Sequence, residues 1–312
     1  MRVGDWCLNG LTGNIIQILE EDIKTIKPIL TPVKRIAVLS TDNNPGYHFY
    51  LPIVEWAWDK FGWDVAVFVT DDAKRSIKTV ADITRRDTDT EVYIIPQIDG
   101  VRSNTLAQVV RHFVSDVLPK EDYIMVQDID LIPLKEYNPD LNERTIWGWD
   151  LTARSFIPVH YTGMTGDKWY EIMDCTGDLK ADMEREMKAN GRAYQKEWEQ
   201  YWDADWDILT KKVLDKKHLF KFIDRGMVQL AAHQTPRGRI DRYSIEVSKD
   251  GAYSYGKTRN HPEIIDMHCE NHNPSSPEKW ANIREVLVSV FGSIPDWMDG
   301  YVADHYSKYK RG

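Results

Sequence analysis

Cysteine is scarce: Cys7, Cys175 and Cys269 are the three in 312 residues, and they lie far apart. That spacing gives neither a disulfide framework nor a zinc motif, so reduced thiols are expected. Long apolar runs are missing too. No stretch approaches the roughly eighteen uninterrupted apolar residues of a membrane-spanning helix. The start, Met1-Arg2-Val3-Gly4-Asp5-Trp6, lacks the basic-then-apolar order of a signal peptide, and a soluble, cytoplasmic protein is expected. Positive charge is in deficit, with 40 Lys and Arg against 49 Asp and Glu for a net charge of -9. This argues against a surface that grips nucleic acid throughout and leaves room for a local basic patch. Arg237, Arg239 and Arg242 form one such cluster around Gly238, and it reads as a solvated turn. Internal repeats and low-complexity linkers are also absent.

What remains is enough for a large core. With 42% hydrophobic residues the chain supports one large α/β domain or a domain with an appendage, and one domain with helical additions is the reading preferred. Its sharpest feature is Asp122-Tyr123-Ile124-Met125-Val126-Gln127-Asp128-Ile129-Asp130, an apolar run that ends in two carboxylates one residue apart. Asp87/Asp89, Asp203/Asp205 and Asp205/Asp207 repeat the Asp-x-Asp spacing, but only Asp128/Asp130 follows a run apolar enough for a central parallel strand. Pro133 is expected to stop regular pairing just beyond it. Open α/β sheets present their chemistry beyond the carboxyl ends of strands, where paired carboxylates suit a hard divalent cation bridging a diphosphate.

The rest of the chain alternates. Residues 1–33 show Ile15, Ile16, Ile18, Leu19, Ile23 and Ile26 near a helical period and read as an N-terminal helical extension. A strand at 35–40, a polar turn through 41–46, a helix at about 50–61 and a strand at 64–69 make a βαβ unit, which implies a parallel sheet. A strand at 91–96 and a helix at about 104–118 lead into the strand before Asp128. Further strands are expected at 145–149 and 158–164, a charged helical region at 179–214, and a short strand at Ile264-Ile265-Asp266-Met267-His268. Trp198, Trp202 and Trp206 recur every fourth residue and read as core packing.

In this order the motifs resemble the metal-dependent nucleotide-sugar glycosyltransferases of the GT-A fold, most closely the glycogenin-like, galactosyltransferase-like group. The resemblance spans roughly residues 34 to 285. It implies an α/β fold with a mostly parallel, Rossmann-like sheet and helices on both faces. It also implies one catalytic domain over 34–312, with a nucleotide-sugar half at 34–135, an acceptor half at 136–285 and a tail at 286–312. By the resemblance, Thr41, Asp42, Asn43 and Tyr47 hold the base, with Tyr47 stacking its face. Arg102 and Arg111 are similar to the basic residues directed toward the donor. Asp128, Asp130 and the late His268 match the ligands of Mn²⁺ or Mg²⁺, with His272 as a competitor for the third place, and Lys279 matches a lysine on the diphosphate. Asp205 and Asp207 match the acids that lie against the donor sugar, although Trp206 replaces the amide between them. On a regular helix these two point about 200° apart, and Asp205, beside the tryptophan stripe, is the one expected in the site.

The expected activity is glycosyl transfer from a nucleoside-diphosphate sugar, UDP-linked first, to a glycan, protein or nucleobase acceptor. Alternatives are a glycosyltransferase acting on a modified nucleobase in DNA and a sugar-nucleotide-binding protein without catalysis. Nucleotidyl transfer would need a glycine-rich basic loop after the first strand. Residues 40–47 contain only Gly46 and no Lys or Arg.

Overall fold

The computed structural model describes residues 15–17, 33–70, 90–148, 157, 159–195, 203–224, 227–230, 233–236, 238–240, 264–269 and 273–309. The first core strand, β2 (Arg35–Thr41), is buried on both faces. Such a run cannot sit with one face in water, so it takes a central position between layers. It pairs in parallel with β3 (Asp64–Thr70) on one side and with β5 (Tyr123–Val126) on the other, and β3 pairs in parallel with β4 (Glu91–Ile95). Beyond β4 lies β1 (Ile15–Gln17), also parallel. A helix was expected over these three residues; pairing to the exposed edge of β4 prevails there over the helical period, and the rest of 1–33 lies outside the described residues.

Past β5 the sheet is mixed. β8 (Thr162–Thr165) is antiparallel to β5 and to β7 (Arg144–Gly148), and β9 (Phe220–Asp224), parallel to β7, closes the eight-stranded sheet in the order β1-β4-β3-β2-β5-β8-β7-β9. Gly163 sits opposite Met125, and a Cβ there would fall 2.6 Å from the Tyr123 hydroxyl, so only glycine lets this ring lie across the β5–β8 pair.

Helices cover both faces, as the expected fold class requires. On one face Ala37, Leu39, Val65, Val67 and Met125 pack with α1 (Pro45–His48), α2 (Leu51–Lys60) and the late helices α7 (Pro277–Phe291) and α8 (Asp296–Tyr309). On the other, Ile36, Val38, Phe68, Ile124 and Val126 pack with α3 (Ser103–Val110), α4 (Gly166–Ile172), α5 (Leu179–Asn190) and α6 (Ala204–Asp215). The alternation of these residues along β2 and β5 is the period-two pleat of a strand buried on both sides.

Two helices are shorter than the sequence suggests. α3 ends at Val110, and a 3₁₀ turn at Val114–Asp116 follows, where a helix to about 118 was expected. The charged region at 179–214 breaks at Gly191, whose φ of +75° ends α5 in a left-handed cap. Of the tryptophan stripe, Trp198 and Trp202 lie outside the described residues, and Trp206 is partly buried against the core.

A small second sheet completes the fold, with β12 (Arg239–Ile240) parallel to β13 (Asp266–His268) and β13 antiparallel to β6 (Leu131–Pro133). Pro133 therefore does not stop pairing; it stands opposite Asp266 within β6. An antiparallel hairpin of β10 (Met227–Leu230) and β11 (His233–Pro236) precedes β12.

Candidate active site

The strand order fixes where the site lies. From β2 the chain runs outward to β3 and β4 on one side, whereas β5 flanks β2 on the other. Connections leaving the carboxyl ends of β2 and β5 diverge around a crevice, the topological switch point of an open sheet. Two loops open there, 41–47 after β2 and 127–130 after β5.

The first loop is held by its own polar groups. Thr41 Oγ1 donates to the Asp42 carbonyl (2.9 Å), Asn44 N donates to Asp42 Oδ1 (3.0 Å), and the Asn44 side chain caps α1 by accepting from Gly46 N (2.9 Å). The C-terminal helix α8 braces it from behind. Tyr301 OH donates to the Phe49 carbonyl at 2.9 Å, and His305 Nε2 lies 3.2 Å from the Pro45 carbonyl. Tyr47 is half-buried against the core of that face. Asp42 and Asn43 flank the same turn and are partly exposed.

The second loop carries a buried charge network. Arg111, the C-cap of α3, places Nη1 2.5 Å from Asp128 Oδ1 and Nη2 2.9 Å from Asp205 Oδ2, while Nε and Nη1 donate to the carbonyls of Gln108 and Gln127. Its fork is thus fully engaged, a bidentate geometry that only a planar guanidinium supplies. On the other side His160 Nδ1 lies 3.2 Å from Asp128 Oδ2. Burial pushes the Asp128 carboxyl up, but the charge of Arg111 and the contact with His160 outweigh it and hold Asp128 well below the usual carboxylate range. Asp205 is fully buried. Burial pushes it up to about 6, against the opposing pull of Arg111. Burial and the charge of Arg239 pull His160 down to about 4, so at neutral pH its ring carries no charge.

His268 reaches the crevice through the small sheet. Its register opposite Leu131 brings Nε2 to 3.5 Å from Asp130 Oδ2, and Cys269 N donates to the Asp130 carbonyl at 2.8 Å. Arg239 anchors this ribbon: buried, it donates from Nε and Nη2 to the two oxygens of Asp266 at 2.8 and 3.3 Å. That corrects the reading of Arg239 as part of a solvated turn; Arg237 and Arg242 lie outside the described residues. Two carboxylates and an imidazole are the right donor chemistry for Mn²⁺ or Mg²⁺. Asp130 and His268 are brought together, while both oxygens of Asp128 face Arg111 and His160. Among the described residues, the donor atoms of Asp128, Asp130 and His268 do not gather as a trio within 4.8 Å.

The remaining expected residues scatter around this centre. Arg102 is exposed at the N-cap of α3, and Lys279 lies in the first turn of α7, where its backbone N donates to the Ser276 cap at 3.4 Å. Asp207 turns to the surface and pairs with Arg192 at 2.6 Å, so the helix separates it from Asp205 as the 100° step requires. His272 is outside the described residues. Sequence reasoning missed His160 and the Arg239–Asp266 pair. A positive φ of 60° at Tyr161 turns the chain just before β8, and nothing in the local pattern Val159-His160-Tyr161 announces that turn.

No protein-family model and no curated protein matches the chain. Among solved structures it is similar to the glycosyltransferase GlyE of Streptococcus pneumoniae TIGR4, at 14% identity and a TM-score of 0.45, over 89% of this chain and 64% of that one. It is also similar to the galactosyltransferase LgtC in complex with donor and acceptor sugar analogs, at 14% identity and a TM-score of 0.44, over 85% of this chain and 99% of that one. A third is the bifunctional glycosyltransferase WbbM, at 12% identity and a TM-score of 0.41, over 90% of this chain and 53% of that one. The chain thus spans less than two thirds of GlyE. No helix among the described residues is long and apolar enough to cross a membrane.

Proposed function

We propose that this protein transfers a sugar from a nucleoside-diphosphate sugar, UDP-linked, to an acceptor nucleophile, with Mn²⁺ or Mg²⁺ held by Asp128, Asp130 and His268. The observation that carries this reading is the convergence at one switch point of the polar loop 41–47, the loop bearing Asp128 and Asp130, and His268, delivered across the β13–β6 pair. When bound there, the cation would supply Lewis-acid chemistry, neutralising charge on the departing diphosphate.

The chain's own residues then divide the work. Asp42 and Asn43 hydrogen-bond the edge of the base and Tyr47 covers its face. Arg102 and Lys279, each in the first turn of a helix or capping it, add positive charge for phosphate oxygens where helix N-termini already favour anions. Arg111 is a positioning residue: its fork holds Asp128 in the ionised form and in one orientation. Asp205 acts through Arg111, because a fully buried carboxyl cannot touch the sugar in this geometry. The nucleobase acceptor is the weaker branch, since Arg239, the described member of its basic cluster, is bound to Asp266.

The test is thermal-shift binding and donor hydrolysis with UDP-, GDP- and CMP-linked sugars, with and without Mn²⁺. Stabilisation and hydrolysis with a UDP-sugar only when Mn²⁺ is present support the proposal. Binding without hydrolysis or transfer points to a sugar-nucleotide-binding protein, and no response to any donor removes the reading.

A further inference from the structure

We propose that Asp116, Cys175 and Asp182 form a second metal site, for a thiophilic divalent cation of the zinc type, on the face of the sheet covered by α3 to α6. One ligand atom from each lies within 4.8 Å of the others. Around a tetrahedral ion, metal–oxygen and metal–sulfur bonds of about 2.0–2.3 Å place donors roughly 3.3–3.8 Å apart, so side-chain shifts of about 1 Å close the set. The three come from separate pieces of chain. Asp116 ends the 3₁₀ turn after α3, Cys175 lies in the loop after α4, and Asp182 is in the first turn of α5.

The observation that points to a ligand is the state of Asp116. The residue is 8% exposed, Gly177 N donates to its Oδ1 at 3.0 Å, and its buried Oδ2 meets no backbone or hydroxyl donor, while the carboxyl lies within hydrogen-bond reach of Asp182 and the Cys175 thiol. With Oδ1 pinned by the backbone, Oδ2 is the oxygen left for the cluster. Two carboxylates and a thiol sharing one buried pocket are costly when ionised, and a proton or a cation must balance them. Asp182 is already satisfied by Thr176 and Arg185, with the Thr176 hydroxyl shared between both its oxygens at 3.1 Å. That shared hydroxyl is the weakest of its contacts and leaves a lone pair to offer. Ser115 Oγ sits 3.5 Å from Cys175 Sγ and steadies the sulfur.

The donor set selects the metal. One sulfur and two oxygens suit Zn²⁺ and exclude the all-oxygen preference of Mg²⁺ or Ca²⁺. Binding replaces the Cys175 thiol proton and any proton on Asp116, which pass to the buffer, and water fills the fourth position. The ion would tie the turn after α3, whose last residue precedes Arg111 in the catalytic crevice, to the start of α5.

The site is tested on the full chain carrying Asp128→Asn and Asp130→Asn, which removes the proposed catalytic site from the count. The protein is stripped with chelator, reloaded with Zn²⁺ or Co²⁺, desalted and assayed for bound metal. About one equivalent is expected to remain, with a thiolate-to-cobalt charge-transfer band that Cys269→Ser leaves intact and Cys175→Ser abolishes. Should Cys175→Ser fail to fold, Asp116→Asn, which keeps shape and the Gly177 bond, is expected to weaken Zn²⁺ binding by more than about tenfold. No retained metal, or a band that survives Cys175→Ser, overturns the site while leaving the proposed transferase reading untouched.

Discussion

Two carboxylate pairs lie close together along the α3 segment, and they are treated differently. At its C-cap, the buried fork of Arg111 spans Asp128 and Asp205. Five residues on, Asp116 and Asp182 share a pocket whose guanidinium, Arg185, has a side chain 40% exposed and an ion pair with Asp182 but none with Asp116. Arg111 serves both carboxylates of its pair and Arg185 only one of its own, yet each pair has one member raised to about 6, Asp205 in the first and Asp116 in the second. Burial leads both shifts. The difference lies in the raised carboxylate's remaining contacts: Asp205 keeps a direct bond to a cation, whereas Asp116 has a backbone donor, a thiol and a second carboxyl but no cation. A cation at Asp116 would complete there what Arg111 completes at the crevice.

The comparison breaks first at the crevice loop itself. Asp128→Asn or Asp130→Asn removes a formal charge from the proposed metal site, where several kcal/mol of charge stabilisation are at stake. Mn²⁺-dependent donor turnover is expected to fall more than about a hundredfold in each variant with the fold retained. Steady-state assays at limiting Mn²⁺ check it, and wild-type turnover in either variant ends the assignment.

The two guanidiniums give the next largest contrast. Arg111→Met leaves the fully buried Asp205 and the partly exposed Asp128 without their cation, and stranding a buried charge of this kind costs up to about 3–5 kcal/mol. Arg185→Met removes a partly exposed partner and leaves Asp182 its Thr176 donors, so it is expected to cost less than Arg111→Met. Urea unfolding of both variants measures the gap. Equal losses would mean that burial does not distinguish the two pockets.

How much of this was legible in the sequence follows from range. The βαβ unit and the Asp128 strand were readable because their apolar runs are local and both faces are buried. Asp205 was singled out over Asp207 by helix phase, and the two side chains do part, one to Arg111 and one to Arg192. Long-range pairing was not readable. Nothing near Arg239 reveals that residue 266, distant in sequence, holds it, and a sequence window over Ile15–Gln17 contains the helical period but not the β4 edge that overrides it. Asp116, Cys175 and Asp182 are unremarkable until three elements bring them together.

His268→Ala sharpens the crevice side at a smaller scale. Its Nε2 faces Asp130, so Mn²⁺ affinity should drop by about tenfold or more, with a lesser change for His272→Ala. Titration calorimetry compares them, and equal losses would place the third ligand elsewhere.

The smallest expected effect is on stability against pH, and it separates the two pockets by sign. In the metal-free protein Asp116 is raised from 3.8 to about 6, by burial first and then by the neighbouring Asp182 charge. The folded state therefore keeps a proton that the unfolded chain releases. Stability from this group is complete below about pH 4 and is lost as pH rises to about 6. His160 runs the other way. Its folded value near 4 lies below its ordinary 6.5, so the unfolded chain takes the proton first as pH falls, and stability is lost from about pH 6.5 down to about 4. Asp116→Asn removes only the first effect. It keeps the acceptor for Gly177 and gains a donor toward Asp182, so the chelator-treated variant should match wild type at pH 4 and exceed it by about 1–3 kcal/mol at pH 7. Urea unfolding across that range decides it. Parallel curves for variant and wild type would show that Asp116 ionises in the fold as freely as in water, and the contrast between the two pockets would then rest on Arg111 alone.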